Sequence, residues 1–270
     1  MMKIAHESMN SIFPLVQSLT DYDYCLVHLM DENPEYKYNF LIASDSKREI
    51  ILDNSIFELG EAYDAERYNY WINTLRPTWT IIPDVLNSKD GTLAKLEEWF
   101  TKYPRTSKLT SVIAVCQGST TEEAVECFEA LNAHPLVNKI GISFDSAAHK
   151  EGLILHPTSY HKHMYGRINF VNQITKFGAR KVKPLHLLGC SLPQELYAYR
   201  KNPNIDSVDT SSPVVHGFYD ISYEMVNELH YGLNDKHPQK LFTLINEEPN
   251  LTQRVKIAEN IAKFREIANG

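Results

Sequence analysis

The sequence predicts an α/β protein, an irregular (β/α)8 barrel of the TIM type formed by a single domain over residues 1–270. Three observations favour this class: eight short apolar runs typical of strands, helical patterns between most of them, and a length of 270 residues. A core of that size is buried by layering helices on a sheet. Strands that alternate with helices pair in parallel, and eight of them predict a barrel.

The candidate strands are nearly continuous apolar runs, as expected for strands buried on both faces. They cover residues 24–29, 39–44, 49–53, 79–84, 111–117, 139–144, 186–190 and 205–210. Only residues 45–48 separate the second run from the third, whereas a parallel crossover needs about a dozen residues. We therefore expect a hairpin there, and a barrel that is regular from residue 51 onward and reduced or rearranged at its start.

Helical patterns fill most of the remaining chain. One covers residues 157–177 and has a stop signal at Gly178. After the last strand, helices are predicted over residues 223–229 and 252–268, with a polar loop at 234–239. Internal repeats, low-complexity tracts and interdomain linkers are absent from the sequence. We therefore predict one domain with C-terminal helices.

Composition excludes several classes of protein. The chain is 43% hydrophobic and 23% charged, and no window approaches the roughly 18 apolar residues of a membrane span. The start lacks the basic and apolar regions of a signal peptide. The four cysteines have no CxxC spacing, so neither a zinc knuckle nor a disulfide framework is indicated. We expect a soluble, cytoplasmic protein with reduced cysteines, no bound metal and no membrane partner.

Polar side chains follow six of the predicted strands. They are Asp53, Asp84, Gln117, Ser143 with Asp145, Ser191 after Gly189, and Asp209. A single Asp after a strand is usually a helix cap or turn residue, but in a barrel these ends converge on one face. Several carboxylates together are costly to bury unless they serve a ligand or one another. This face is therefore the predicted active site.

Carboxylates without a strand-end His or Lys suit chemistry at an anomeric carbon. A carboxylate and an amide suit the edge of a purine, and Phe57 offers a stacking face. The competing hypothesis is a Mg²⁺ site of Asp53, Asp84 and Asp209, although neither a phosphate loop nor an Asp-x-Asp pair accompanies them. Gln117 is also a candidate helix cap, and Phe57 a candidate core residue.

Five motifs, in order, resemble the queuine/archaeosine tRNA-guanine transglycosylase superfamily. They are 51–57 (ILDNSIF; family ILTDSGGF), 81–84 (IIPD), 116–118 (CQG; family IQGG), 186–196 (HLLGCSLPQEL; family YLMGVGxPEDL) and 207–217 (SVDTSSPVVHG; family MFDCVxPTRxxRxG). The resemblance implies an irregular barrel that exchanges guanine for a 7-deazaguanine through a covalent glycosyl-enzyme. Asp209 matches the nucleophile and Asp53 the acid/base carboxylate. The base-binding positions match Asp84, Gln117, Gly118, Phe57, Ser143, Leu188 and Gly189.

The chain also departs from the family. Asn54, Ser55 and Ile56 replace its Ser-Gly-Gly, residues 142–144 (ISF) replace its GGL turn, and no cysteine follows Asp209, so the zinc subdomain is missing. A short, zinc-free chain resembles the phage and bacterial branch that inserts 7-deazaguanines into DNA. The resemblance implies a DNA-guanine transglycosylase that takes a preQ0-like base without a cofactor, in the host cytoplasm if phage-encoded. The alternatives are a tRNA enzyme and a non-catalytic barrel that binds nucleic acid or a nucleobase; homo-oligomers and partner proteins stay open.

A basic segment favours a nucleic-acid partner. The net charge is −7, but residues 149–183 carry +6 and the rest −13. Phosphate affinity comes from Lys and Arg, although a solvated helix with its flanks explains the same charges. We expect Lys150, Lys162 and Arg167 to overhang the strand ends and contact phosphates beside the target guanine, with Lys181 and Lys183 nearer the opposite end.

Overall fold

The computed structural model describes residues 1–150, 158–176 and 181–270, without the side chains of Lys150 and Ser159. Its eight strands form one all-parallel, nearly closed barrel in the order β1-β8-β7-β6-β5-β4-β3-β2, which confirms the predicted α/β barrel class. The strands are β1 Lys3–Ala5, β2 Asp23–Leu26, β3 Ile50–Asp53, β4 Trp79–Ile81, β5 Ser111–Cys116, β6 Lys139–Ser143, β7 Leu185–Leu188 and β8 Ile205–Asp209.

Helices surround the barrel, and one large apolar cluster fills the space between them and the strands. The α-helices are α1 Phe13–Leu19, α2 Val27–Glu32, α3 Pro34–Asp45, α4 Ile56–Leu59, α5 Ala65–Leu75, α6 Lys89–Lys102, α7 Thr106–Leu109, α8 Thr121–Ala133, α9 Ser159–Lys176, α10 Ser212–Phe218 and α11 Leu251–Asn269. Short 3-10 helices cover Asn10–Ile12, Ala147–Lys150, Pro193–Ala198 and Leu241–Leu244. In the part of the chain that the structure describes, no helix has the length and apolarity to cross a membrane.

The predicted hairpin is wrong, because residues 39–44 belong to helix α3. Asn33 caps this helix by accepting a hydrogen bond from the amide of Tyr36, and a proline opens its first turn. Tyr36, Phe40 and Ala43 are its buried residues, at the spacing of one helical face. Helices therefore connect β1 to β2 and β2 to β3, and β2 pairs with β3 in parallel.

Two further differences concern the ends of the chain. Strand β1 was not predicted, since only three residues form it. Residues 223–229 are turns and loop instead of a helix, whereas the helix predicted at 252–268 is confirmed within α11. The stop signal at Gly178 lies outside the described residues.

Candidate active site

A cavity of about 260 Å³ opens at the carboxyl ends of the strands. It is lined by eight of the nine residues predicted for catalysis and base binding: Asp53, Phe57, Asp84, Gln117, Ser143, Leu188, Gly189 and Asp209. The ninth, Gly118, is buried beside α8, where an added Cβ would lie 2.5 Å from the backbone nitrogen of Ala124. Gly118 therefore allows close packing of a helix and does not line the cavity.

Asp53 ends strand β3 with both carboxyl oxygens engaged. Its Oδ2 accepts a hydrogen bond from the Tyr24 hydroxyl at 2.7 Å, and its Oδ1 accepts one from the Ser55 amide at 2.6 Å. Burial, reinforced by the nearby charges of Glu58 and Asp209, raises the pKa of Asp53 well above its usual range. This carboxyl is therefore suited to hold and deliver a proton near neutral pH.

Asp209 ends strand β8 in different surroundings. The Gly189 amide donates to its Oδ1 at 3.3 Å, and Nε2 of His186 lies 3.1 Å from the same oxygen. Burial lowers the pKa of His186, so its imidazole is neutral. Lys139 Nζ donates to Ser207 Oγ, which leaves the Ser207 hydroxyl able to donate to Nδ1 of His186 at 2.9 Å. The imidazole proton then resides on Nε2, facing Asp209.

Asp84, just beyond strand β4, is held by two amide side chains. Asn54 donates to its Oδ1 at 2.9 Å, and Gln117 donates to its Oδ2 at 2.7 Å. Gln117 in turn accepts a hydrogen bond from the Asn87 amide at 3.0 Å, which fixes its amide orientation. Burial raises the pKa of Asp84. The result is a pre-oriented edge with adjacent hydrogen-bond acceptors and a donor.

The structure excludes the alternative structural roles of Gln117 as a helix cap and of Phe57 as a core residue. Helix α8 is capped by Thr120, which accepts a hydrogen bond from the Glu123 amide, so Gln117 is not its cap. Phe57 is 49% exposed at the cavity mouth and is therefore not a core residue.

Two carboxyl groups in the cavity were not predicted. Burial raises the pKa of Glu7 well above its usual range, and nearby Asp209 adds to the effect. Burial also raises the pKa of Glu58, whose buried Oε2 has no hydrogen-bond partner among the described residues. Glu7 lies two residues beyond β1, so recognising that short strand would have revealed it. Glu58 lies on α4, shortly after Asp53.

The cavity also contains two lysines, one from the predicted polar loop at 234–239 and one directly after it. Lys236 and Lys240 both line it, with their ammonium nitrogens 5.9 Å and 5.1 Å from the centroid of the Phe57 ring. These distances are in the range of cation–π contacts. No pattern in the sequence predicts that residues 236–240 lie at the carboxyl ends of the strands.

The predicted phosphate contacts fare differently. The prediction that Arg167 contacts phosphate is wrong. Arg167 is 0% exposed, and its guanidinium pairs in the interior with both carboxyl oxygens of Glu195, at 2.7 and 2.9 Å. Its charge is thereby neutralised and shielded from any polymer. Lys162 is half-buried on α9 and does not line the cavity. The side chain of Lys150 lies outside the described residues.

The carboxylates do not form a metal-binding set. Within residues 1–150, 158–176 and 181–270, no three His, Cys, Asp or Glu side chains are grouped to hold a metal ion. The oxygens of Asp84 accept hydrogen bonds from amides instead. The donor set therefore does not fit the competing Mg²⁺ hypothesis.

Comparisons with known proteins add no relative. Models of protein families do not match the chain, and a search of curated proteins finds no match. The class is therefore defined by the structure itself: an α/β barrel with an acidic cavity at the carboxyl ends of its strands, bordered by two lysines.

Proposed function

We propose that this protein is a DNA-guanine transglycosylase, a pentosyltransferase that exchanges guanine in DNA for a free 7-deazaguanine related to preQ0. One observation carries the proposal: Asp53 and Asp209 face the same cavity in contrasting surroundings. Burial raises the pKa of Asp53 well above its usual range, while Asp209 receives a backbone N–H and faces the imidazole of His186. One acid and one nucleophile are what a retaining displacement at C1′ requires.

In the first half of the reaction, a carboxylate oxygen of Asp209 attacks C1′ of the target nucleotide. The bond between C1′ and the guanine nitrogen breaks, its electron pair leaves with guanine, and Asp53 supplies the proton. In the second half, the incoming base loses its proton to Asp53 and attacks C1′, which releases the Asp209 carboxylate. Two inversions give retention of configuration, and no cofactor is needed.

Base selection follows from the edge formed by Asp84 and Gln117. Asp84 accepts hydrogen bonds from the purine N1–H and exocyclic amine, and Gln117 donates to O6. The hydrogen bond that joins these two side chains without ligand is then replaced by bonds to the base. Phe57 and Leu188 flank the ring. Adenine lacks this donor and acceptor order, and an unpaired Asp84 costs about 1–3 kcal/mol, which disfavours adenine roughly ten- to hundredfold.

Nucleoside analysis by mass spectrometry tests the proposal. DNA and tRNA are isolated from cells that express the protein with a supply of preQ0. We expect a 7-deazaguanine nucleoside in DNA with the unaltered protein, none with Asp209→Asn, and normal levels with Asp220→Asn, an exposed control. Modification of tRNA alone would replace DNA as the substrate. Binding of guanine without modification of either polymer would leave a non-catalytic nucleobase-binding barrel.

A further inference from the structure

Lys236 and Lys240 are the unexplained charges of the cavity. Lys236 is half-buried, and burial lowers its pKa, which is costly for an ammonium group without a function. Within the described residues, neither lysine has a carboxylate within 4.0 Å. Both ammonium groups lie close to the exposed Phe57 ring at the mouth. They are therefore positioned to meet an anion that approaches from solvent.

The remainder of the cavity is acidic. Its carboxyl groups are Glu7, Asp53, Glu58, Asp84, Asp145 and Asp209. A polyanion that enters such a site is repelled unless cations offset the field at the entrance. Lysine suits this role because it is a compact point charge that binds phosphate without demanding one geometry.

In the proposed reaction, Asp84 and Gln117 meet the base edge and Asp209 meets C1′. Lys236 and Lys240 line the same cavity beside the exposed Phe57 ring, which leaves them available for the phosphate of the same nucleotide. We propose that Lys236 and Lys240 form a phosphodiester-binding subsite for the DNA backbone next to the target guanine. This inference rests on the proposed function and assigns polymer recognition to loop 234–240, in place of Arg167.

The test measures binding of a fluorescein-labelled, guanine-containing DNA oligonucleotide by anisotropy between 50 and 300 mM salt. Lys236→Gln and Lys240→Gln are each expected to weaken binding about 5- to 10-fold near 0.1 M salt and to reduce the salt slope by roughly one. The double variant Lys236→Gln, Lys240→Gln is expected to reduce the salt slope by about two. Calorimetric binding of free guanine should change less than twofold, since the base edge is assigned to Asp84 and Gln117 and free guanine carries no phosphate.

The matched control is the double variant Lys256→Gln, Lys263→Gln, which makes the same change in net charge on α11, where both lysines pair with surface glutamates. Urea unfolding verifies that every variant is folded. Effects equal to those of this control would overturn the subsite, whatever the outcome of the exchange assay.

The remaining outcomes separate this inference from the proposed function. Binding confined to an RNA oligonucleotide, but lost with the two lysines, supports the phosphodiester subsite and overturns DNA as the substrate. Base exchange in DNA with unchanged salt slopes supports the transglycosylase and overturns the subsite. If the unaltered protein binds neither polymer, both are overturned.

Discussion

Ser55 combines a strained backbone with a buried hydrogen bond beside the proposed acid. Its φ of 60° lies in the left-handed region, which favours glycine because a Cβ approaches the carbonyl oxygen there. Its hydroxyl lies 2.8 Å from Nδ1 of the buried His28, and its amide donates to Asp53. Ser55 thus forms a buried side-chain hydrogen bond at a backbone position that favours glycine, and such strained positions cluster at functional sites.

Two substitutions separate these effects. Ser55→Ala and Ser55→Gly both remove the hydroxyl, but only alanine keeps the Cβ in the left-handed conformation. We expect both variants to be less stable than the unaltered protein, and Ser55→Ala to be the less stable of the two by about 1 kcal/mol. Urea unfolding measures the difference. Equal stabilities would mean that the backbone at this position relaxes.

Glu58 is expected to lower stability at neutral pH. Its folded-state pKa is raised above the ordinary value of 4.5, so the folded state binds more protons and stability falls as pH rises above about 4.5. Glu58→Gln should therefore raise the free energy of unfolding at pH 7.5, because it removes a buried charge whose ionisation opposes folding. At pH 4 the two proteins should be equally stable.

The control for this prediction is Glu259→Gln, which alters an exposed pair on α11. Such pairs contribute little, so its effect should stay below about 0.5 kcal/mol at both pH values. A destabilised Glu58→Gln at pH 7.5 would show instead that attraction to the two lysines dominates.

At the scale of elements, the sequence predicted most of the barrel because strands buried on both faces leave a strong local signal. Strands β3 to β8 all lie within predicted runs or overlap them closely. The prediction for residues 39–44 failed because Phe40 and Ala43 face the core from helix α3, whereas Ile42 in the same run is exposed. Short apolar runs do not distinguish a strand from a buried helix, and only packing decides.

The inability of local sequence patterns to report packing also explains which residues of the cavity were predicted. Strand ends converge in any barrel, so Asp53, Asp84 and Asp209 were predictable from position. Lys236 and Lys240 were not, because a loop between distant elements carries no local signal of where it lies. Arg167 was misassigned since charge alone does not report burial; its partner Glu195 is 28 residues away in sequence.

The pair of Arg167 and Glu195 fixes helix α9 against the 3-10 helix Pro193–Ala198 and the end of β7. Arg167 also donates to the Leu188 carbonyl at 3.0 Å, and Tyr199 donates to Glu195 at 2.8 Å. Arg167→Met leaves a buried carboxylate without its cation and should cost about 3–5 kcal/mol in urea unfolding. Lys162→Met, on the same helix, should cost less than about 0.5 kcal/mol.

The double variant Arg167→Met, Glu195→Gln distinguishes the effect of the buried charges from the effect of side-chain packing. It removes both charges, so it should recover a large part of the stability lost by Arg167→Met. No recovery would mean that the shape of the guanidinium, and not its charge, holds these elements together. Weaker DNA binding at full stability would return Arg167 to the phosphate contacts.

At the scale of the whole molecule, the barrel has one seam, between β1 and β2, which are not paired as strands. The Asp21 amide donates to the Ile4 carbonyl at 2.9 Å, and the Ile4 amide donates to Asp21 Oδ2 at 2.9 Å. Arg265 of helix α11 donates to both carboxyl oxygens of Asp21, each at 2.9 Å. One carboxylate therefore joins the first strand, the seam and the last helix.

Asp21→Ala tests whether this carboxylate closes the barrel. It removes three charge-assisted hydrogen bonds at a partly exposed position, so we expect a loss of about 1.5–3 kcal/mol in urea unfolding. Amide hydrogen exchange should accelerate most at Ile4 and much less at Val112, in the middle of the sheet. Glu259→Ala, which removes an exposed carboxylate from α11, serves as the control and should change stability by less than about 0.5 kcal/mol.

The pH dependence of the same variant gives an independent check. Burial opposes ionisation of Asp21, but hydrogen bonds from Arg265 and the Ile4 amide outweigh it and hold its pKa below the ordinary 3.8. The stabilisation is therefore complete above about pH 3.8 and is lost as pH falls through the folded-state pKa. The gap between Asp21→Ala and the unaltered protein should be constant from pH 5 to 7 and shrink below pH 3.8. A gap independent of pH, with no faster exchange at Ile4, would mean that packing of the first and last elements closes the barrel without this carboxylate.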